Sequence, residues 1–441
     1  MRRAALILAA VFSLVAAGEA AAKTVRVFAV GPKFSLDWVD TREDYRAHLF
    51  ALMDRAQRGS AAVQRDADDV ASHRLGRDRD LAALPEDLGL MAALSGSRGA
   101  PARRLTPETG GLTAAIGTLL GTYAPQMAYY GSRYPALASR GIPTRELALA
   151  LTDTFGRVAV ETFAELADRY DLWLEAGVNM ARDWRIVCRS KAAYTPPPGG
   201  PPCEEENSGL VSQLLTTDEA RGYAYEATTD QPVNMALVFD PDGRLVSKQV
   251  KTYLTPVELP GQLDLVPGHV SRGLSALDTP VGRLGFVTSK DAWMPDVTSK
   301  LDQAGVEILI QPEFFVNDTV RPEGMWSPDN LRASGASDVL RHPSIHTLVL
   351  PEMTGNVFDF SADAQQHIVV EPRGSAQRAL VGQDPFPGFA KVQPWVVGDP
   401  ADVRETVTER RRRLGAAGTL LLPGSGVPCP DPLVAGPWEG G

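Results

Sequence analysis

Short β-branched runs that stop at a proline, a glycine or a charge, with helical spacing between them, do most to limit what this chain can fold into. The run Thr24-Val-Arg-Val-Phe-Ala-Val30 alternates like a strand. Asp40 or Thr41 can cap a following helix in which Tyr45, Leu49, Leu52, Met53 and Ala56 recur at helical spacing before Gly59. Leu81-Ala-Ala-Leu84 stops at Pro85-Glu86, helical pattern fills residues 111–169, and residues 170–176 read as the next strand. Asn234-Met-Ala-Leu-Val-Phe239, the turn Asp240-Pro-Asp-Gly243 and Leu245-Val-Ser-Lys-Gln-Val250 predict a hairpin. Further strands are expected over 282–288, over 306–310 before Gln311-Pro312, and over 346–350. Strands alternating with helices imply an α/β layered fold. No repeat at solenoid period is present. Such sheets gather ligand groups at the carboxyl ends of their strands, where this chain carries Glu86, Lys251 and Ser289.

Of the 441 residues, 44% are hydrophobic and 22% charged, the composition of a folded protein with a full core. Acidic residues outnumber basic ones by 54 to 44, so the net charge of −10 gives no field for a polyphosphate backbone, and nucleic acid is not expected as a partner. Arg2 and Arg3 precede an apolar run over residues 4–17 and the small residues Ala20-Ala21-Ala22, the pattern of a secretory signal peptide over 1–22 cleaved before Lys23. About 14 apolar residues fall short of the ~20 that span a bilayer. The mature chain is therefore expected to be exported, with no integral membrane segment, to a periplasm, cell surface or medium where disulfides form. Cys188 and Cys203 flank the Pro/Gly-rich loop at 188–209, and a bridge between them is the preferred pairing. Cys429 is left over, in the Gly/Pro-rich tail of a C-terminal segment, 399–441, that opens with a helix begun at Asp399-Pro400.

Three blocks, in order, resemble those of the nitrilase (carbon–nitrogen hydrolase) superfamily. Leu84-Pro-Glu-Asp87 resembles its strand-then-Pro-Glu block, and Lys251-Thr-Tyr-Leu-Thr-Pro-Val-Glu258 its Lys-x-x-Leu-x-Pro-x-Glu block. Gly282-Arg-Leu-Gly-Phe-Val-Thr-Ser-Lys-Asp-Ala-Trp-Met-Pro-Asp296 is similar to the nucleophile block, with Ser289 where the family has cysteine. The resemblance implies an α-β-β-α sandwich over 23–398, with the helical stretch at about 95–165 as an insertion forming a lid or interface. It implies a triad of Glu86 as general base, Lys251 as oxyanion donor and Ser289 at the nucleophile position. Glu258 would orient Lys251 and the substrate, and the Lys290 backbone N–H would be a second oxyanion donor. A homodimer is the default assembly.

The serine changes the chemistry expected. A thiol with an ordinary pKa of ~8.5 ionises with a carboxylate base, whereas a hydroxyl needs a stronger one, such as a neutral lysine. Two functions follow: amidase-type hydrolysis of a non-peptide C–N bond, or a catalytically silent scaffold that binds a small-molecule amide or carboxylate, or a partner protein. No cofactor is implied. His342-Pro-Ser-Ile-His346 has the spacing of a zinc helix, but Pro343 breaks the helix and no Glu follows His342, so it reads as a loop. Substrate determinants are expected in the insertion and around Trp293-Met294 and Trp326.

Overall fold

A computed structural model of the chain describes residues 25–66, 80–105, 111–139, 143–216, 222–260, 262–315, 317–318, 330, 333–358, 360–362, 366–370, 379–382 and 395–397. The signal-peptide pattern, Trp326, Cys429 and the 399–441 segment lie outside them. Two six-stranded sheets dominate the described residues. In the first, Asp80–Ala83 lies between Val25–Ala29 and Trp173–Ala181, all three parallel. Pro232–Phe239 and Leu245–Val250 extend it antiparallel as the expected hairpin, and Trp395–Val397 closes its other edge. In the second, Gly282–Phe286, Ile308–Ile310 and Thr347–Leu350 are parallel, flanked by Leu277–Thr279, His367–Val370 and Ala379–Gly382.

The two-residue period of each strand assigns its faces. Val27, Ala29, Leu81, Ala83, Ala236 and Val238 point from the first sheet into one apolar layer with Leu284, Phe286, Ile308, Ile310 and Val349 of the second. The alternate residues Phe28, Ala82 and Leu174 pack outward against Leu49, Leu52 and Met53 of the Arg42–Asp66 helix and against Leu147 and Phe163. On the far side, Leu309, Leu348 and Leu350 meet Val297 and Leu301 of the Pro295–Gln303 helix and Val339. This is an α-β-β-α sandwich. Each fully buried aliphatic side chain adds about 1.5–3 kcal/mol, so strand alternation alone fixes which face is which.

Two features refine the expectations. Tyr170 does not begin a strand: it ends the Glu161–Tyr170 helix, Asp171 takes the left-handed conformation (φ 56°) that closes helices, and the strand runs Trp173–Ala181. Helices over 144–170 form much of the outer layer on the first sheet, so the end of the 95–165 stretch packs as core. Below that layer, Trp184–Cys188, Glu204–Glu205 and Tyr223–Ala227 form a small sheet, and Cys188–Cys203 is a disulfide that anchors the Pro/Gly-rich loop to it.

Candidate functional site

Strand direction brings the predicted residues to one end of the sandwich. Leu245–Val250 runs antiparallel to Pro232–Phe239, which runs antiparallel to Trp173–Ala181, so Lys251 leaves the sheet at the same end as Glu86. Glu86 sits on a tight turn. The Leu84 N–H donates to the Glu175 carbonyl (2.9 Å), Asp87 adopts φ 60°, and the Gly89 N–H donates to the Gly177 carbonyl (2.9 Å). A Cβ on Gly177 would lie 2.7 Å from the Glu86 Cα, so only glycine on the neighbouring strand lets this turn approach so closely.

At the centre, Lys251 Nζ donates to Glu86 Oε1 (2.7 Å) and pairs with Glu258 Oε2 (2.9 Å). Asn234 Nδ2 bridges the same two carboxylates, at 2.7 Å from Glu86 Oε1 and 2.7 Å from Glu258 Oε1. Thr255 finishes the arrangement by donating its N–H and hydroxyl to Glu258 Oε2 (2.7 and 2.8 Å) in a capping box. Glu86, Lys251 and Glu258 are all buried. Burial by itself would lower the Lys251 pKa, but the Glu86 and Glu258 carboxylates outweigh it and hold the ammonium above its ordinary range. Burial raises the Glu86 carboxyl against the opposing pull of Lys251. In Glu258 the same burial is overcome by Lys251, the Thr255 N–H and Asn234, and its pKa is lowered. Asp87, half-buried beside both glutamates, is pushed well above the ordinary carboxylate range, first by desolvation and then by their charge.

Ser289 follows the Gly282–Phe286 strand and turns with φ 49°, a left-handed conformation that costs a non-glycine residue about 1–2 kcal/mol. Its backbone N–H donates to the Pro312 carbonyl (3.1 Å), and its hydroxyl lies against the Glu313 carboxyl. Glu313 is fully buried, and desolvation first, then the Glu86 charge, raises it to about 8. Asp291 clamps the serine turn to the lysine segment: its carboxylate accepts the N–H groups of Thr252 (2.9 Å) and Tyr253 (2.7 Å). Burial raises that carboxyl to about 7 against these bonds. The Lys290 side chain turns aside to the Leu254 carbonyl (3.0 Å).

Glu86, Lys251, Glu258, Ser289 and Lys290 all line one cavity of about 710 Å³. Most of its lining is apolar, and Glu86, Asp87, Lys251, Glu258 and Lys290 supply its charged groups. Asn234, Asp87, Asp291 and Glu313 complete the cluster, and the sequence reading passed over them. Glu313 could have been found by the strand-end rule, since it follows Ile308–Ile310 directly after Gln311-Pro312. The buried Asn234 had no such signal, being one polar residue in an apolar strand. His342 makes contacts of its own, with Thr298 (3.2 Å), Asp338 (3.3 Å) and Asp302 (3.8 Å), and it ends the Gly335–Arg341 helix as a loop residue.

Residues 220–338, which hold Lys251, Glu258 and Ser289, match the family described as carbon–nitrogen hydrolase. The chain is similar to the deaminated glutathione amidase of Rattus norvegicus, with 33% identity over 99 residues, or 22% of this chain and 30% of that protein. A deaminated glutathione amidase of Dictyostelium discoideum is 29% identical over 115 residues, 24% of this chain and 39% of its own. The chain thus spans well under half the length of these relatives. Among solved structures it is similar to a carbon–nitrogen hydrolase from Helicobacter pylori G27 (TM-score 0.47, 13% identity, 89% of this chain and 94% of that one). It is also similar to an amidase mutant from Nesterenkonia sp. AN1 carrying acrylamide at its active-site cysteine (TM-score 0.39, 12% identity, 90% and 99%).

Proposed function

Because the chain belongs to the nitrilase (carbon–nitrogen hydrolase) superfamily, we propose that its cavity is an amide-binding site, and that native Ser289 does not turn the amide over. The observation that carries this reading is the double pairing of Lys251 with Glu86 and Glu258 (2.7 and 2.9 Å). Paired in this way, Lys251 remains a cation: it can polarise a carbonyl, but it cannot deprotonate a hydroxyl. Glu86 is then the remaining base, a carboxylate already engaged by Lys251 and Asn234. That suffices for a thiol and falls short for an alcohol.

The test is Ser289→Cys. With a thiol at 289, Glu86 takes the thiol proton as the sulfur adds to the bound carbonyl and Lys251 stabilises the oxyanion. The C–N bond breaks as Glu86 returns that proton to the leaving amine, and water deprotonated by Glu86 then hydrolyses the thioester to free the acid and the thiol. The variant is expected to hydrolyse a simple amide or ester at a rate at least ~10²-fold above the native protein, the scale of a positioned base. Native hydrolysis that disappears in Ser289→Ala would overturn silence. A folded Ser289→Cys protein without activity would overturn the triad. The strained turn at Ser289 (φ 49°) favours a second reading, a serine acyl transferase. Labelling of the native protein by a serine-directed electrophile, lost in Ser289→Ala, would select it.

Export belongs to the same proposal. It is supported by the Arg2-Arg3 and apolar N-terminal pattern and by the Cys188–Cys203 disulfide, which suits an oxidising compartment. N-terminal sequencing of the mature protein should start at Lys23.

A further inference from the structure

Glu313 is a buried acid beside Ser289 that the Glu86–Lys251 chemistry leaves unused. It follows the Ile308–Ile310 strand and is fixed by its neighbours. Its N–H donates to the Pro351 carbonyl (3.0 Å), its carbonyl accepts the Met353 N–H (3.3 Å), and Gln311 Nε2 donates to its Oε1 (2.8 Å). Gln311 is held in turn, its Oε1 accepting the Gly335 N–H (3.0 Å). Glu313 Oε2 is buried and has no hydrogen-bond partner among the described residues. The Ser289 N–H bonds to the carbonyl of Pro312, one residue earlier, and the Ser289 hydroxyl lies against the Glu313 carboxyl. Glu86 is more fully engaged: Lys251 and Asn234 share its Oε1, and its Oε2 accepts the Phe314 N–H (3.4 Å). On its other side Ser289 meets the cavity, walled by Met91, Leu263, Trp293 and Leu112 of the Gly111–Thr122 helix. The serine thus stands between a cavity and an acid with an unspent oxygen.

Resting on the reading above that Glu86 leaves Ser289 silent at neutral pH, we infer that Glu313 is the general base of Ser289, and that the serine becomes a nucleophile when the Glu313 carboxyl is ionised. The groups facing that carboxyl are Glu86 and Lys251 from the strand-end turns, and Glu352, whose backbone bridges to it from the segment after Thr347–Leu350. Desolvation first, then the Glu86 charge, raises it to about 8 against the pull of Gln311, Ser289 and Lys251. At pH 7 it is therefore an acid with no room for a proton. Above that range it is a desolvated carboxylate, a stronger base than an exposed one. In the step, Ser289 Oγ bonds to an electrophilic carbon or phosphorus as its proton passes to Glu313. Lys251 stabilises the oxyanion, and the leaving group departs with its electron pair.

A fluorophosphonate probe, from which Ser289 Oγ displaces fluoride, tests this on the native full-length protein between pH 6.5 and 9.5. Phosphonylated Ser289 is read by peptide mass mapping, with Ser289→Ala as the background. The labelling rate is expected to rise at least about tenfold and to level off above pH ~9, the course of a group titrating near 8. Glu313→Gln should remove that rise. If this variant does not fold, Glu313→Asp takes its place: one methylene shorter, it should label at least about threefold more slowly than the native protein at pH 9. A rise that persists in Glu313→Gln, or a Glu313→Asp protein as fast as the native one, would overturn the inference. So would a rate that climbs about tenfold per pH unit without levelling, the mark of hydroxide acting alone. No labelling at any pH would also overturn it and leave the silent amide site standing. Labelling as fast at pH 6.5 as at 9.5 would overturn both the inference and the silence of Ser289.

Discussion

Two of the buried charge clusters among the described residues differ in how their carboxylates are held. Under the disulfide-bonded sheet, Arg157 donates to both oxygens of Asp153 (2.9 and 3.0 Å) and to the Tyr223 carbonyl, and its guanidinium lies 4.5 Å from the centre of the Tyr223 ring. Asp153 also accepts from the Tyr225 N–H (2.8 Å) and from the N–H and hydroxyl of Thr216 (3.0 and 3.1 Å). Glu161 accepts from Tyr223, Tyr225 and Arg42. Every carboxylate oxygen of Asp153 and Glu161 is taken, and Arg42 goes on to pair with Glu165 (2.8 Å) and Glu43 (3.0 Å). In the Lys251 cluster one ammonium is shared between Glu86 and Glu258, with Asp87 alongside, and the cavity of about 710 Å³ is lined by all four. Buried charge alone therefore does not mark a site. What differs is how the carboxylates are shared: those of Asp153 and Glu161 are tied to backbone and side chains that join helix to sheet, although Arg157 Nη1 has no partner among the described residues, whereas those around Lys251 share one ammonium at the edge of the larger cavity.

The largest expected effect tests the Arg157 cluster. Arg157→Met leaves Asp153 buried without its counter-charge and should cost about 3–5 kcal/mol in urea unfolding. A loss under ~1 kcal/mol would remove the contrast. Lys251→Met should cost less, roughly half as much, because its carboxylates can take up protons and water can reach them through the cavity. The deficit should widen as pH rises and Glu86 and Glu258 ionise. Equal losses for the two variants at pH 6 would show that the cavity relieves nothing. The smallest effect concerns Glu313. Its carboxyl is raised to about 8, so the folded chain holds a proton that the unfolded chain has already released above the ordinary carboxylate range. Stability must then fall as pH rises through this window and level off above ~8. His342, raised to about 9 by Asp302 and Asp338 against the effect of burial, pulls the same way above pH ~6.5, so the comparison has to be with a variant. Glu313→Gln should flatten the decline between pH 6.5 and 8.5 by on the order of 2 kcal/mol. An unchanged slope would mean that Glu313 ionises normally.

Much of this architecture is legible in the chain because the period of a strand and its sheet environment agree. The alternation around Val27 and Phe28, and the hairpin around Asp240-Pro-Asp-Gly243, need no tertiary information. The block order leads to Glu86, Lys251 and Glu258, which meet within hydrogen-bonding distance across 172 residues of sequence, from 86 to 258. What the sequence hides are partners defined by contact alone. Asn234 bridges two carboxylates from inside a run that reads as core, and Asp291 grips the Thr252 and Tyr253 amides from the far sheet. The start of the strand at 173 was obscured because Tyr170 suits a strand by propensity, while Asp171 can adopt the left-handed turn that ends a helix.

The placement of Leu112 has a consequence for how such a chain can change over generations. The residues that would touch a reacting carbonyl are contributed by turns at strand ends, whereas one wall of the cavity is supplied by a helix encoded well away from all of them. Drift in residues 111–122 can therefore reshape what the cavity admits while the lysine and its carboxylates are inherited intact. The converse also holds: a single codon change at 289 could restore or silence chemistry without altering which molecule arrives. Appetite and reactivity are written in different stretches of the same gene and can be selected one at a time.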